Sequence, residues 1–212
     1  MRARSLLRWI EDSLWVIGLI AIAMWSQGHF ESRAFQANES SRLESALGGN
    51  HPEALAADIE AAQFIGPSRT QPADRAAQRT TREGDVLGKI EIPRIGISAI
   101  VAEGADLNTL KHAVGHIGST ALPGGPGNCA LAGHRDTFLR GLGEVRGGDV
   151  IRLVTRDGTY SYRVEWGMVV DPHQIAVLDS TATPSLTLIT CYPFGYIGHA
   201  PKRFVVRASE AD

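Results

Sequence analysis

Pro184-Ser185-Leu186-Thr187-Leu188-Ile189-Thr190-Cys191-Tyr192-Pro193-Phe194-Gly195 is the stretch around which the chain is read. Leu186 to Thr190 is a run of aliphatic and β-branched residues that Pro193 and Gly195 then break, the pattern of a buried strand ending at Cys191. A thiol at a strand end is held by a rigid sheet while its sulfur can face a cleft, as a nucleophile requires. Two further segments supply what a thiol lacks: Leu131-Ala132-Gly133-His134-Arg135-Asp136 upstream and Ala200-Pro201-Lys202-Arg203-Phe204-Val205-Val206 downstream. Each places charged or titratable groups at the edge of an apolar run.

With 212 residues, 43% hydrophobic and 21% charged, the chain can bury one ordinary core. A net charge of -2 carries no nucleic-acid signature, so nucleic acid is not an expected partner. Cys129 and Cys191 are too few for a disulfide framework and lack metal-binding spacing, so no metal site is expected.

The first 29 residues read as an address. Arg2, Arg4 and Arg8 precede the uncharged run SLWVIGLIAIAMWS from Ser13 to Ser26, with Trp9, Trp15 and Trp25 at interfacial positions. The run is short beside the roughly 20 residues a bilayer core asks for. Ala21-Ile22-Ala23 fits a cleavage site, but Met24 and Trp25 are bulky, so the reading is an uncleaved signal anchor. The arginines then stay in the cytoplasm and the catalytic part lies outside it.

Residues 30–84 turn polar and alanine-rich and read as an extracytoplasmic stalk. Ser41 with Glu44 predicts a capping box opening a helix that Gly48-Gly49 ends, and Pro52 opens a second helix that Gly66-Pro67 ends. The remainder, to Asp85, has the composition of a tether; a helix folded over the active site is the alternative.

Residues 85–212 form the globular part. Strands are predicted over Val86–Ile92, Ile95–Val101, Cys129–Ala132, Val150–Val154, Thr159–Val170, Leu186–Cys191 and Arg203–Arg207, with an Asp157-Gly158 hairpin turn. Asp106 predicts the cap of a helix bearing Leu107, Leu110 and Val114, and Ile175–Leu178 a second helical piece. Short strands with few helices indicate an all-β barrel or sandwich.

The chemistry follows from three side chains. A cysteine is mostly protonated near neutral pH, and His134 can take its proton and later return one to a leaving amine. Arg203 stays charged and is suited to hold an oxyanion or a substrate carbonyl. Activation, proton transfer and charge stabilisation together describe acyl transfer through a thioester.

The segments LAGHRD, TLITCYPF and APKRFVV, with GHIGSTALPGGPGNCALAGHRDTF, resemble the sortases in order and spacing over Val86–Ala208. TCYPF and APKRFVV with one N-terminal span are most similar to class D sortases. The resemblance implies a closed barrel of about eight strands and a membrane-anchored cysteine transpeptidase. Such an enzyme cuts a Leu-Pro-x-Thr-Gly-like sorting signal between threonine and glycine and passes the acyl group to an amine on cell-wall precursor or another surface protein. Carried over by position, Cys191 is the nucleophile, His134 the acid and base, and Arg203 the stabilising cation. Thr190 is a candidate for substrate binding or for shaping the oxyanion site, against a plain strand role. His116 and His199 are candidates to line the cleft. No cofactor is implied, and Asp171 and Asp179 are too isolated for a calcium site. The alternatives are a cysteine hydrolase sharing the same residues and an inactive tethered binding module. The Ser-His-Gly-Cys segment of the L,D-transpeptidases is absent.

Overall fold

A computed structural model of the chain describes residues 2–47, 81–196 and 198–211. Eight strands close into a barrel: β1 (Val86–Ile92), β2 (Ile97–Glu103), β3 (Val114–His116), β4 (Asn128–Ala132), β5 (Val150–Thr155), β6 (Gly158–Val170), β7 (Ser185–Tyr192) and β8 (Lys202–Glu210). Their order around the barrel is β1-β2-β3-β4-β7-β8-β6-β5, so the sheet has no free edge at its waist. Of the two architectures the sequence left open, the barrel is the one formed.

Alternation of side chains decides what each strand buries. Ile90, Ile92, Leu131, Leu153, Tyr162, Leu186, Leu188 and Val206 point inward and form one core, with Cys129 only 1% exposed among them. The outward residues of β4, β7 and β8 are therefore Asn128, Ala130 and Ala132; Ser185, Thr187, Ile189 and Cys191; and Arg203, Val205 and Arg207.

Several local expectations shift. β2 starts at Ile97 rather than Ile95, because Pro93–Ile95 makes a 3-10 turn closed by Gly96 in the left-handed region at φ 65°. Helix α1 (Arg2–Ala46) runs continuously, so Ser41 is no cap; its hydroxyl donates 2.8 Å to the Asn38 carbonyl within the helix. Asp106 does cap a short helix, α2 (Leu107–His112), accepting from the Asn108 and Thr109 amides, but Leu107 is exposed and Val114 already belongs to β3. β3 had no sequence signal of its own, since three residues are too few to show a period. The helix and tether expected over residues 52–80 lie outside the described residues.

The later part of α1 is docked rather than free. Phe35 packs against Ile100, Ala102 and Ala113 on the outside of β2, and Leu43 is buried. Gln36 bridges two elements: its Nε2 donates 2.7 Å to the His112 carbonyl, and its Oε1 accepts from the Ile100 amide at 2.8 Å. The earlier part leaves Leu14, Trp15, Ile17, Ile20, Ile22 and Met24 exposed. Among the described residues no helix is long and apolar enough to cross a membrane.

Candidate active site

The parallel pairing of β4 with β7 places Ala132 beside Ile189, and Gly133 continues it by donating to the Ile189 carbonyl at 3.1 Å. One residue further on, His134 stands level with Cys191. On the other side of β7 the antiparallel register pairs Cys191 directly with Arg203. Cys191 and Arg203 share the outward parity of β7 and β8, and His134 follows two residues after Ala132, the last outward residue of β4. They form a row across β4, β7 and β8, spanning about 10 Å at the ordinary strand spacing. His134, Cys191 and Arg203 are each half-buried, in reach of both sheet and solvent.

The row is built from the strand ends outward. Leu139 donates to the His134 carbonyl at 3.1 Å, turning the chain sharply after the histidine. Beyond Cys191 the Tyr192–Pro193 peptide is cis. Phe194 stacks edge-on against Phe204 at 5.5 Å and packs over Gly143, where a Cβ would stand 2.8 Å from its ring. Arg203 donates through Nη1 to the Lys202 carbonyl at 2.9 Å and the Ala200 carbonyl at 3.2 Å, which holds the guanidinium at the start of β8.

The remaining candidates separate. Thr190 has inward parity and is 2% exposed; its hydroxyl donates 2.7 Å to the Gly133 carbonyl, tying the cysteine strand to the residue before His134. His116, expected to line the cleft, is 1% exposed with both ring nitrogens engaged, Nδ1 by Glu103 at 2.9 Å and Nε2 by the Ala121 carbonyl at 2.9 Å. It offers a substrate no atom, and its place is inside the barrel wall. His199 is exposed in the loop between β7 and β8.

Arg135 crosses to the β7–β8 loop, donating through Nη2 to the Tyr196 carbonyl at 2.5 Å and the Gly198 carbonyl at 3.0 Å, with its guanidinium over the Tyr196 ring. It joins the loop after the cysteine to the loop of the histidine. Its position next to His134 was the only sequence signal. No cluster of three or more metal-binding side chains occurs among the described residues.

Below the row of His134, Cys191 and Arg203 on the same face lie Ala132 and Ile189, partly exposed, with Ala130 and Val205 fully buried beside them, a floor of small and apolar side chains. A closed barrel carrying a strand-end thiol with a histidine and an arginine on the neighbouring strands over such a floor has the parts of a cysteine acyltransferase. Residues 90–211 match the Sortase domain. The chain is 35% identical to Sortase D of Bacillus subtilis over 138 residues, 65% of this chain and 70% of that protein. It superposes on the Clostridium perfringens Sortase D5 transpeptidase with a TM-score of 0.58 and 27% identity, covering 68% of this chain and 90% of that one. Clostridium perfringens sortase C, solved with its C-terminal cell wall sorting motif, gives a TM-score of 0.57 at 32% identity, covering 63% of this chain and 74% of that one. The chain belongs to the sortase family, with class D members among the relatives it matches, and is a cysteine transpeptidase of a family that acts on proteins bearing a sorting signal.

Proposed function

We propose that this enzyme cleaves a Leu-Pro-x-Thr-Gly-like signal between threonine and glycine and transfers the threonine acyl group to an amine of the cell envelope or of another surface protein. The observation that carries the reading is the row of His134, Cys191 and Arg203 on one outward face, continued by the apolar floor that suits leucine and proline side chains.

In this reading His134 takes the Cys191 proton and the sulfur attacks the threonine carbonyl. The carbonyl π electrons move to oxygen, and the Arg203 guanidinium stabilises the resulting oxyanion. Collapse breaks the C–N bond, His134 protonates the departing glycine amine, and a thioester remains on Cys191. An incoming amine gives its proton to His134, attacks the thioester carbonyl and expels the thiolate, which recovers the proton. Only the signal peptide and the amine are consumed, and Cys191, His134 and Arg203 are regenerated.

The Ser13–Ser26 run is proposed as the membrane anchor, with Arg2, Arg4 and Arg8 on the cytoplasmic side and the barrel outside. Its support is the set of exposed large apolar residues on that part of α1. Its 14 residues span about 21 Å of helix, which calls for a thinned bilayer or contributions from flanking tryptophans.

The test is the full chain in detergent with a fluorogenic Leu-Pro-x-Thr-Gly peptide, with and without triglycine, beside Cys191→Ala. Ligated product and an acyl adduct on Cys191 by mass spectrometry, both lost in the variant, are expected. Release of the free acid at a rate indifferent to added amine would make the enzyme a hydrolase, and absence of any adduct would make it a binding module.

A further inference from the structure

The outer face that carries the reactive row ends, four residues lower on β7, in a buried polar network. Asn128, Ser185, Thr187 and Arg207 are all less than a tenth exposed. Thr187 pairs with Arg207 and Asn128 with Ser185 across the strands, so the network runs from about 13 Å to about 20 Å from Cys191 along β7.

Three donations from the network converge on one segment. Residues 171–184, between β6 and β7, pass over the outer face as a 3-10 turn at Ile175–Leu178. Asn128 donates through Nδ2 to the Val177 carbonyl at 3.1 Å and the Asp179 carbonyl at 3.2 Å. Arg207 donates through Nη2 to the same Val177 carbonyl at 2.9 Å, and through Nη1 to the Ser185 hydroxyl at 3.1 Å. The Asn128 Oδ1 faces the strand instead, accepting from Thr187 at 2.6 Å, so the amide orientation is fixed.

Arg207 makes this arrangement costly. Its Nε is buried with no hydrogen-bond partner; Glu165 acts on the guanidinium only as a nearby charge and the Trp166 ring lies 5.8 Å from it, with no direct ion pair among the described residues. A buried guanidinium without an ion pair destabilises the fold unless something else is gained. A pair of outer-face residues in small aliphatic form would seal the same space without that cost. The gain visible here is position: two side chains from two strands converge on one carbonyl of the groove's wall.

We propose that Asn128 and Arg207 are positioning residues that hold the 171–184 segment at a fixed height over the groove and so determine affinity for the residues preceding the scissile bond. This rests on the sorting-signal reading above. Four extended residues, from the acylated threonine back to the leucine, cover about 13 Å, the separation of Cys191 from the nearer, Thr187–Arg207 level of the network. The part of the peptide retained in the thioester would therefore lie between the clamp and Cys191.

The test uses the full chain in detergent, with Asn128→Asp and Arg207→Lys. The aspartate keeps the acceptor toward Thr187 and removes both donations to the wall; the lysine keeps charge and one donor. Expected for Asn128→Asp are a KM for the Leu-Pro-x-Thr-Gly peptide raised at least tenfold, kcat within about threefold, and faster amide exchange confined to residues 172–184. Alkylation of Cys191 by iodoacetamide stays at the wild-type rate, and Arg207→Lys falls between wild type and Asn128→Asp. A fall in kcat at unchanged KM, or exchange in the wall identical to wild type, overturns the proposal. If Asn128→Asp does not fold, Arg207→Lys carries the same comparison. A wild type inert toward every such peptide would sink the substrate reading, while the exchange measurement would still decide the clamp.

Discussion

Thr190→Val is the perturbation whose consequences can be followed furthest. The substitution keeps shape and strand propensity and removes one hydroxyl, whose only role in the structure is the 2.7 Å donation to the Gly133 carbonyl. That oxygen sits on the chain immediately before His134, and a carbonyl buried without its donor costs about 1–3 kcal/mol. Taking about 1.5 kcal/mol, the melting temperature should fall by about 5 °C for a domain of this size. The larger effect is geometric. His134 is fixed laterally to the cysteine strand by this bond and by the Gly133 amide on the Ile189 carbonyl. Loss of one tie frees the imidazole by a fraction of an ångström to one ångström, and a misplacement of that order costs up to about a hundredfold in rate. The expectation is kcat reduced ten- to a hundredfold with KM little changed, measured with saturating peptide and triglycine, and recovery in Thr190→Ser. A KM effect at constant kcat would show that the hydroxyl meets substrate after all. Unchanged kcat and stability together would refute the positioning argument.

Three further outcomes follow from other parts of the molecule. Cys129 is buried in the core and burial pushes its thiol up from the ordinary value, so native enzyme should take up one equivalent of iodoacetamide, on Cys191, and Cys191→Ala none until denaturant is added; labelling of Cys129 in folded protein would contradict the packing described. Asp149 accepts from the Arg94 guanidinium and from the Arg146 amide at 2.7 Å, and the Arg94 bond holds its carboxyl below the usual range. A depressed carboxylate stabilises above its unfolded pKa and loses that contribution as pH falls through the folded value, so urea unfolding should show wild type ahead of Asp149→Asn at pH 7 and the gap closing below about pH 4. Gln36→Ala, which orphans the Ile100 amide and the His112 carbonyl, should expose α1 to limited proteolysis while leaving turnover of a short soluble peptide within about twofold; a large loss of turnover would mean that the helix contact reaches the site.

Legibility in the sequence varied with the range of the interaction. The strands around Cys191 and the hairpin of β5 and β6 could be read because their signals, runs of branched residues and an Asp-Gly turn, are local. The thiol, imidazole and guanidinium could be singled out as candidates because each stands at the edge of an apolar run, but nothing local says that β4 and β7 are parallel neighbours, the pairing on which the placement of His134 beside Cys191 depends. His116 shows the converse. Its segment pointed toward the cleft, yet its burial follows from Glu103 thirteen residues earlier on β2, a carboxylate that reads as an exposed strand end in one dimension. The roles of Arg135 and Arg207 could not be read from the sequence because acceptors of both are backbone carbonyls of distant loops, which leave no mark on composition. The capping box at Ser41 failed because a serine three residues before a glutamate is also compatible with the middle of a helix, where the hydroxyl turns back onto its own backbone.

The unbroken course of α1 makes the barrel's orientation a matter of helical phase. From Ser26 to Phe35 there are nine residues, about 14 Å of helix, between the proposed anchor and the face locked against β2. With no hinge in that interval, azimuth and altitude are coupled. One inserted residue would lift the barrel by about 1.5 Å and swing its groove by about 100° around the helix axis. Seven would raise it by about 10 Å while returning it to within about 20° of its original bearing. An insertion series between Ser26 and Phe35, assayed on a substrate tethered in the same bilayer, should then show activity that oscillates with the helical repeat, a compass reading of which way the groove must face.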